Sequence, residues 1–169
     1  MASATRAAPS RRKDRSPARP YGAVSRIECE TLIGAPPERC FDLSRSVELH
    51  LQAAASTGEH AVGGVTSGLL GAGDTVTWEA RHFGRRWRLT VRISTYDRPR
   101  YFRDEQVRGP FRRFAHDHLF EPADGGTRMQ DVMEFASGLP LLDRLVLAPH
   151  LERFLLGRNE LIRRKAEAG

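Results

Sequence analysis

The period of the hydrophobic pattern changes once along this chain, and that change limits the folds it can adopt. Between residues 25 and 136, apolar side chains alternate with polar ones, as in strands with one buried face. After Leu139 they recur at helical spacing instead, with arginine and glutamate between them. One long amphipathic helix cannot bury its apolar stripe alone, so the concave face of a curved antiparallel sheet is its obvious partner.

The alternating region divides into strands interrupted by two short helices. A first strand is predicted over residues 26–33, and the Pro36-Pro37 pair that follows predicts the first turn of a helix. A second short helix is predicted over residues 47–54. A short strand at 60–62 and five longer strands, at 74–83, 85–96, 100–108, 113–121 and 127–136, complete this region.

These elements predict an α+β fold, in which a curved antiparallel sheet of six to seven strands wraps around a long C-terminal helix. The turn signals Gly109-Pro110 and Asp124-Gly125-Gly126 join the last strands into hairpins. Pro149 predicts a kink or break in the helix near Ala148.

The positive charge of the chain is concentrated at its start. The formal net charge is +6, yet residues 1–20 contain six basic side chains against one acid, so the remainder is nearly neutral. Residues 1–24 are rich in alanine, serine and proline and predict a disordered tail, followed by one domain over residues 25–169. We therefore expect no nucleic-acid partner, and the arginines at 85, 86, 88 and 92 predict a solvated strand face.

The two cysteines, Cys29 and Cys40, form no paired motif and predict small core residues in a reducing compartment. No apolar run approaches the ~18 residues of a membrane helix. The first residues also lack the apolar segment of a secretory signal. We therefore expect a cytoplasmic protein without stable membrane insertion.

The hairpin over residues 109–135 carries ionisable side chains on the face predicted to be buried. Strand alternation groups His116 and His118 with two phenylalanines, and Asp131 with two methionines. If the Gly109-Pro110 turn sets the register, the preceding strand adds a cross-strand neighbour at each position. The expected pairs are Phe102 with His118, Asp104 with His116, and Gln106 with Phe114. Asp131, on the following strand, is expected beside one of the two histidines.

Three motifs of this hairpin resemble those of small bacterial proteins of the SRPBCC superfamily, which includes START domains, polyketide cyclases and birch-pollen-allergen-like proteins. The motifs are Gly109-Pro110-Phe111, His116-Asp117-His118-Leu119-Phe120 and Gly125-Gly126-Thr127-Arg128-Met129-Gln130-Asp131, within a match over residues 25–166. The resemblance implies a helix-grip fold, whose sheet and long helix enclose a deep pocket for lipids, sterols or aromatic polyketides.

The resemblance and the alternation together nominate side chains that line this pocket. The candidate ligand-binding residues are Trp78, His82, Trp87, Phe102, Asp104, Gln106, Phe114, His116, His118, Met129, Asp131 and Met133. His116, His118 and Asp131 are also candidate acid–base groups, because a carboxylate orients an imidazole and raises its basicity. The same three residues are compatible with a satisfied buried network that maintains strand register, so no catalytic residue is assigned.

Two histidines at positions i and i+2 of one strand also raise the question of a metal ion, with Asp104, Asp131 or His82 completing the site. No cysteine lies nearby in the sequence, and the resemblance does not imply strand ligands, so we predict no metal and no cofactor. The sequence contains no nucleophile elbow, phosphate loop or dinucleotide fingerprint.

The predicted function is binding of a small apolar molecule, such as a lipid, a quinone or a polyketide, as a carrier or sensor. The alternative is a polyketide cyclase or dehydratase, whose pocket folds a reactive chain while His116, His118 or Asp131 moves protons. A regulatory module that binds an unidentified protein partner is a third alternative.

Overall fold

The computed structural model describes residues 24–82 and 84–169, and for His82 it describes the backbone only. The predicted tail over residues 1–24 therefore lies outside the described residues, apart from Val24. The strands are β1 (Ser25–Ile33), β2 (His60–Gly64), β3 (Thr75–His82), β4 (Arg85–Asp97), β5 (Tyr101–Arg108), β6 (Arg113–Ala123) and β7 (Gly126–Ala136). The helices are α1 (Pro37–Ser44), α2 (Val47–Ala53), α3 (Pro140–Leu142) and α4 (Ala148–Glu167), with a 3-10 turn at Ala55–Thr57 and a π-helical turn at Asp143–Leu147.

The seven strands form one antiparallel sheet in the order β1-β7-β6-β5-β4-β3-β2. Strands β2 to β7 follow one another as neighbours, while β1 pairs along its whole length with β7, from Ser25 opposite Phe135 to Ile33 opposite Thr127. The chain thus returns to its first strand before it enters the C-terminal helix. The predicted α+β helix-grip arrangement is confirmed, with the larger of the two predicted strand numbers.

Helix α4 buries one apolar side against β1, α1 and α2. The buried apolar positions are Leu155, Leu161, Ile162 and Ala166, which recur at helical spacing. Leu155 packs with apolar side chains of β1 and β7, whereas Leu161 and Ile162 join a second cluster around Phe41. The helix therefore covers the sheet with the stripe that its sequence pattern predicts.

The C-terminal helix departs from α-helical geometry before the predicted position. The π-helical turn ends at Leu147 and continues directly into α4, so Pro149 lies within a continuous helical segment, where it cannot donate an intrahelical hydrogen bond. The carboxylate of Asp143 is buried and accepts two contacts from the backbone N–H of Ser137, at 3.0 and 3.2 Å. This contact ties the start of the helical segment to the end of β7.

Two short helices follow β1, as predicted. Helix α1 begins with Pro37 after an extended Pro36. Helix α2 begins with Val47 after its N-cap Ser46, whose hydroxyl accepts a hydrogen bond from the Leu49 N–H at 3.2 Å. Phe41 of α1 is fully buried. Its ring makes edge contacts, with centroid distances of 5.3–5.4 Å, to Tyr96, Phe102 and Phe120. Helix α1 is thereby packed against β4, β5 and β6.

Cys29 and Cys40 are free thiols in the core, and burial raises the pKa of both. Neither is positioned as an exposed reactive group. Within residues 24–82 and 84–169, no helix combines the length and the apolar character needed to cross a bilayer.

Two adjacent leucines on α4 give a direct test of this packing. Leu155 is fully buried, whereas Leu156 is about half exposed. We expect Leu155→Ala to lower the free energy of unfolding by about 2–5 kcal/mol, because it leaves a cavity beside Ile27 and Met133. Leu156→Ala, the matched control, should change it by less than about 1 kcal/mol. Chemical denaturation followed by circular dichroism measures both values, and equal losses would contradict the packing.

Candidate functional site

A cavity of about 740 Å³ lies between the sheet and the C-terminal helical segment. Most of the side chains that line it are apolar and come from strands β3 to β6 and from α4. They include Trp78, Ala80, Leu89, Val91, Ile93, Leu151 and Phe154. The volume falls within the range of pockets that bind small organic molecules.

The structure brings together most of the side chains that the sequence nominated for ligand binding. Those that line the cavity are Trp78, Trp87, Phe102, Asp104, Phe114, His116, His118 and Met133. Gln106, Met129 and Asp131 are not among the lining residues. The nominated side chain of His82 lies outside the described residues.

Gln106 holds the loop between β5 and β6 instead of facing the cavity. Its amide donates to the carbonyl of Phe111 at 2.7 Å and accepts from the Phe111 N–H at 3.2 Å. The predicted pairing of Gln106 with Phe114 does not form, because regular β5–β6 pairing ends with Glu105 opposite Ala115. The Gln106 side chain closes the loop where the backbone ladder stops.

Met129 lies in the core next to α1, two residues along β7 from Asp131. Its side chain is fully buried, and its sulfur lies 3.6 Å from the hydroxyl of Ser44. Alternation correctly placed Met129 on the inward face, but α1 covers that end of the strand. Met129 therefore packs against other core side chains, whereas Met133 lines the cavity.

The predicted hairpin register is confirmed at the positions that carry ionisable groups. Across β5 and β6, Phe102 lies opposite His118 and Asp104 lies opposite His116. Across β6 and β7, His118 lies opposite Asp131. Two histidines and two carboxylates therefore meet on one face of three adjacent strands.

Asp131 lies on the core side of the two imidazoles, away from the cavity, and is fully buried. Its Oδ1 atom is 2.9 Å from His116 Nε2 and 2.8 Å from His118 Nδ1, while its Oδ2 atom accepts a hydrogen bond from Asn159 Nδ2 at 2.7 Å. The imidazole N–H directions do not align with Oδ1, so the first two contacts are close charge contacts rather than well-aligned hydrogen bonds. One carboxylate oxygen thus contacts both imidazole rings from the core side.

Asp104 contacts the same two histidines from the cavity side. Its Oδ1 atom is 3.3 Å from His118 Nε2 and 3.8 Å from His116 Nδ1. The Asp104 side chain keeps 15% of its surface exposed. The two imidazole rings, with centroids 3.8 Å apart, therefore lie between two carboxylates, one in the core and one in the cavity wall.

Two further members of this cluster come from α4 and escaped the sequence reasoning. Asn159 binds Asp131 directly, and the buried guanidinium of Arg158 places Nη1 3.7 Å from Asp131 Oδ1. Arg158 Nη2 also donates to the carbonyl of Ser44 at 2.5 Å. Both residues follow Leu155 by three and four positions, so they occupy the apolar stripe of the helix. Polar residues at stripe positions were the signal that could have identified them.

The pKa values of the four central groups reflect burial and mutual contact. Burial opposes ionisation of both carboxyls, but the neighbouring histidines lower the pKa of Asp104 and hold that of Asp131 well below its usual value. Burial also disfavours charge on the imidazoles. The two carboxylates outweigh burial at His118 and raise its pKa, whereas burial and the neighbouring His118 leave the pKa of His116 lowered. The arrangement favours an imidazolium at His118 and a neutral ring at His116.

A second polar pair in the cavity wall also escaped the sequence reasoning. His50 of α2 places Nε2 2.6 Å from Glu59 Oε1, and its ring stacks on Trp78 at a centroid distance of 4.0 Å. Both members of the pair line the cavity. The two residues are nine positions apart and show no periodic relation, so only the tertiary structure reveals the pair.

The charge of Asp131 should make the stability of the fold depend on acidity. Because its folded pKa lies well below the unfolded value of about 3.9, the carboxylate stabilises the fold fully above roughly pH 5 and loses this contribution as the pH falls. We expect Asp131→Asn to lower the free energy of unfolding at neutral pH by roughly 3 kcal/mol and to flatten its acid slope. Urea denaturation at a series of pH values measures both effects.

Asp124→Asn is the control, since Asp124 is exposed at the turn between β6 and β7. It should leave the acid slope as it is in the unmodified chain. An unchanged slope in Asp131→Asn would show that the buried carboxylate does not contribute the predicted linkage.

Solved structures that resemble this chain share its fold at low sequence identity. Ara h 8.0201 superposes with a TM-score of 0.66 at 18% identity, covering 87% of this chain and 100% of that chain. The Zhui aromatase/cyclase from Streptomyces sp. R1128 gives a TM-score of 0.66 at 16% identity, with coverages of 86% and 94%. The protein TTHA0849 from Thermus thermophilus gives 0.60 at 22% identity, with coverages of 83% and 97%. At these identities the likeness establishes the fold.

The sequence itself matches a known protein family over most of its length. The family described as polyketide cyclase / dehydrase and lipid transport matches residues 25–167. No curated protein sequence gives a significant match. The family match covers every strand and helix of the described fold. The chain therefore belongs to the polyketide cyclase / dehydrase and lipid transport family, within the SRPBCC superfamily of helix-grip proteins.

Proposed function

We propose that the protein binds a small hydrophobic molecule, such as a lipid, a quinone or a polyketide, and acts as its carrier or sensor. The observation that carries this proposal is the cavity of about 740 Å³ with mainly apolar walls. Protein interiors pack as densely as organic crystals, and voids larger than a water molecule are few. An apolar space of this size therefore favours an occupant other than protein side chains.

The ligand is expected to be mainly apolar with a polar group at one end. Trp78, Phe102 and Phe114 offer it aromatic surface, and Trp87 and Met133 extend the apolar wall. Side chains of this kind contribute most of the apolar contact area in small-molecule pockets.

The polar end of the ligand is expected to face β5 and β6, where Asp104, His116 and His118 reach the cavity together. A few convergent polar groups in an apolar pocket orient a ligand rather than supply most of its affinity. Asp131 then acts indirectly, since its carboxylate lies beneath the histidines and holds their rings.

The ligand has an entry route past the start of the C-terminal helical segment. Leu139, Leu142 and Val146 line the cavity and are also exposed to solvent, at 62%, 39% and 42% of their surface. A contiguous group of exposed leucine and valine side chains beside an opening is typical of a surface that an apolar molecule crosses. The π-helical turn at Asp143–Leu147 lies within this segment.

Filling the cavity should weaken ligand binding without loss of the fold. Ala80 of β3 lines the cavity, so Ala80→Phe places an aromatic ring in the space that a ligand would occupy. With anilinonaphthalene sulfonate as the probe, we expect one bound molecule per unmodified chain and a dissociation constant about tenfold or more higher in Ala80→Phe. Probe fluorescence measures the binding. Trp78 and Trp87, the chain's two tryptophans, report it independently because both line the cavity.

Thr95→Phe is the matched control, because it adds the same ring at an exposed position of β4 away from the cavity. Its probe affinity should equal that of the unmodified chain. Displacement by palmitate, menadione or emodin then distinguishes lipid, quinone and polyketide ligands. Equal probe binding by Ala80→Phe and Thr95→Phe would contradict binding in the cavity.

A polyketide cyclase or dehydratase is a second candidate function, and one observation favours it. His116 and His118 reach the cavity while a carboxylate holds each ring from below, which is the arrangement of an oriented acid–base pair. The candidate enzyme would fold a poly-β-keto chain in the cavity and move protons between its carbon atoms and an imidazole.

The catalytic candidate is tested with a linear poly-β-keto thioester as substrate. If His118 transfers protons, His118→Gln should lower kcat by about 10²–10⁴-fold, while the affinity for anilinonaphthalene sulfonate stays within about twofold. Chromatography of the cyclised products measures turnover. Probe binding with no turnover by the unmodified chain would leave binding as the function and reject the enzyme.

A further inference from the structure

We propose that Asp104, His116 and His118 bind a divalent first-row transition-metal ion, with open coordination positions directed toward the cavity. The sequence offered Asp104, Asp131 and His82 as candidates for a third ligand, but we predicted no metal because no cysteine lies nearby and the resemblance does not imply strand ligands. The structure supplies that ligand from β5, in the register that places Asp104 opposite His116. The site needs no molecule in the cavity, so it stands or falls separately from the proposed ligand binding.

The three side chains already converge at the spacing of a metal site. Asp104 Oδ1 is 3.3 Å from His118 Nε2 and 3.8 Å from His116 Nδ1, and each residue offers a ligand atom within 4.8 Å of the other two. An ion with bonds of about 2.1 Å in tetrahedral geometry sets its ligand atoms about 3.4 Å apart. Small side-chain rotations therefore suffice to close the three atoms around one ion.

Each imidazole is also supported on its far side, as ligating histidines usually are. His116 Nε2 and His118 Nδ1 are the ring nitrogens that point away from Asp104. They lie 2.9 and 2.8 Å, respectively, from Asp131 Oδ1. With an ion bound, a carboxylate in this place would accept a hydrogen bond from each ring and direct the lone pair of the other nitrogen to the metal. Asn159 Nδ2 donates a hydrogen bond to the other oxygen of this carboxylate, Asp131 Oδ2.

The atoms on the far side of the imidazole rings are not held in place by aligned hydrogen bonds. Among the described residues, His116 Nε2, His118 Nδ1 and Asp131 Oδ1 are all buried without an aligned hydrogen bond. Buried polar atoms that lack aligned partners are costly, so a rotation of the rings around an ion would break no well-formed hydrogen bond on this side.

The ligand set indicates the class of ion. Two imidazole nitrogens and one carboxylate oxygen suit Zn²⁺, Fe²⁺ or Co²⁺, and the absence of thiolate from the set disfavours Cu⁺. Because all three residues line the cavity, the remaining coordination positions face it. A carbonyl, enolate or hydroxyl of a bound molecule could complete the coordination there.

The test uses the full-length chain without an affinity tag, stripped of metal with a chelator and titrated with Zn²⁺ in a calorimeter. We expect one Zn²⁺ per chain, and a dissociation constant more than tenfold higher in His116→Gln and in Asp104→Asn. Asp131→Asn should raise it by about 10–100-fold with the stoichiometry unchanged, because this residue orients the ligands. His60→Gln, at an exposed position of β2, should bind as the unmodified chain does.

A second measurement uses only the unmodified chain, so its outcome does not depend on whether a variant folds. In the unmodified chain, ¹⁵N resonances of His116 Nδ1 and His118 Nε2 should shift on addition of Zn²⁺, and Co²⁺ should give a visible d–d absorption that Zn²⁺ removes. Absence of Zn²⁺ binding, shifts confined to other histidines, or affinity retained in both His116→Gln and Asp104→Asn would each overturn the proposal. Binding of anilinonaphthalene sulfonate is scored separately, so loss of the metal site would leave the cavity proposal intact.

Discussion

The rest of the structure depends on the contacts that the buried carboxylate of Asp131 makes. It lies within 3 Å of an imidazole nitrogen from both His116 and His118, and it accepts a hydrogen bond from Asn159 of α4. A buried charge without such partners costs several kcal/mol. Strands β6 and β7 and helix α4 must therefore lie where these contacts form, and this sets where the helix crosses the sheet.

The cavity and the charge cluster lie side by side, and both depart from an ordinary core. Replacing a buried ionic network with packed apolar side chains is often neutral or stabilising, so stability alone does not account for this network. A core that contains both an apolar void and five ionisable groups departs from the packing rule in the way that functional sites do. Asp104 marks the boundary, because it contacts the histidines and also lines the cavity.

Sequence reasoning succeeded where periodicity and turns determine the outcome. The alternation of β6 and β7 and the Gly109-Pro110 turn correctly predicted Asp104 opposite His116, because a register error of one residue would expose the apolar face. It failed for Gln106 and Met129, since side-chain direction alone does not say whether a loop, a helix or a cavity lies in front of a strand. Arg158 and Asn159 were missed because their partner is more than 25 residues away in the sequence.

By itself, the sequence determined the order of strands and helices and the hairpin register around His116 and His118, and its motifs indicated the family. The order and the register follow from interactions among nearby residues, or from side-chain alternation, which has a fixed period. The tertiary structure decided which inward side chains face protein and which face a cavity, and it brought Asn159 and Arg158 of α4 to the carboxylate of β7. Those contacts depend on how a helix packs across a curved sheet, and that packing is the sum of many distant contacts.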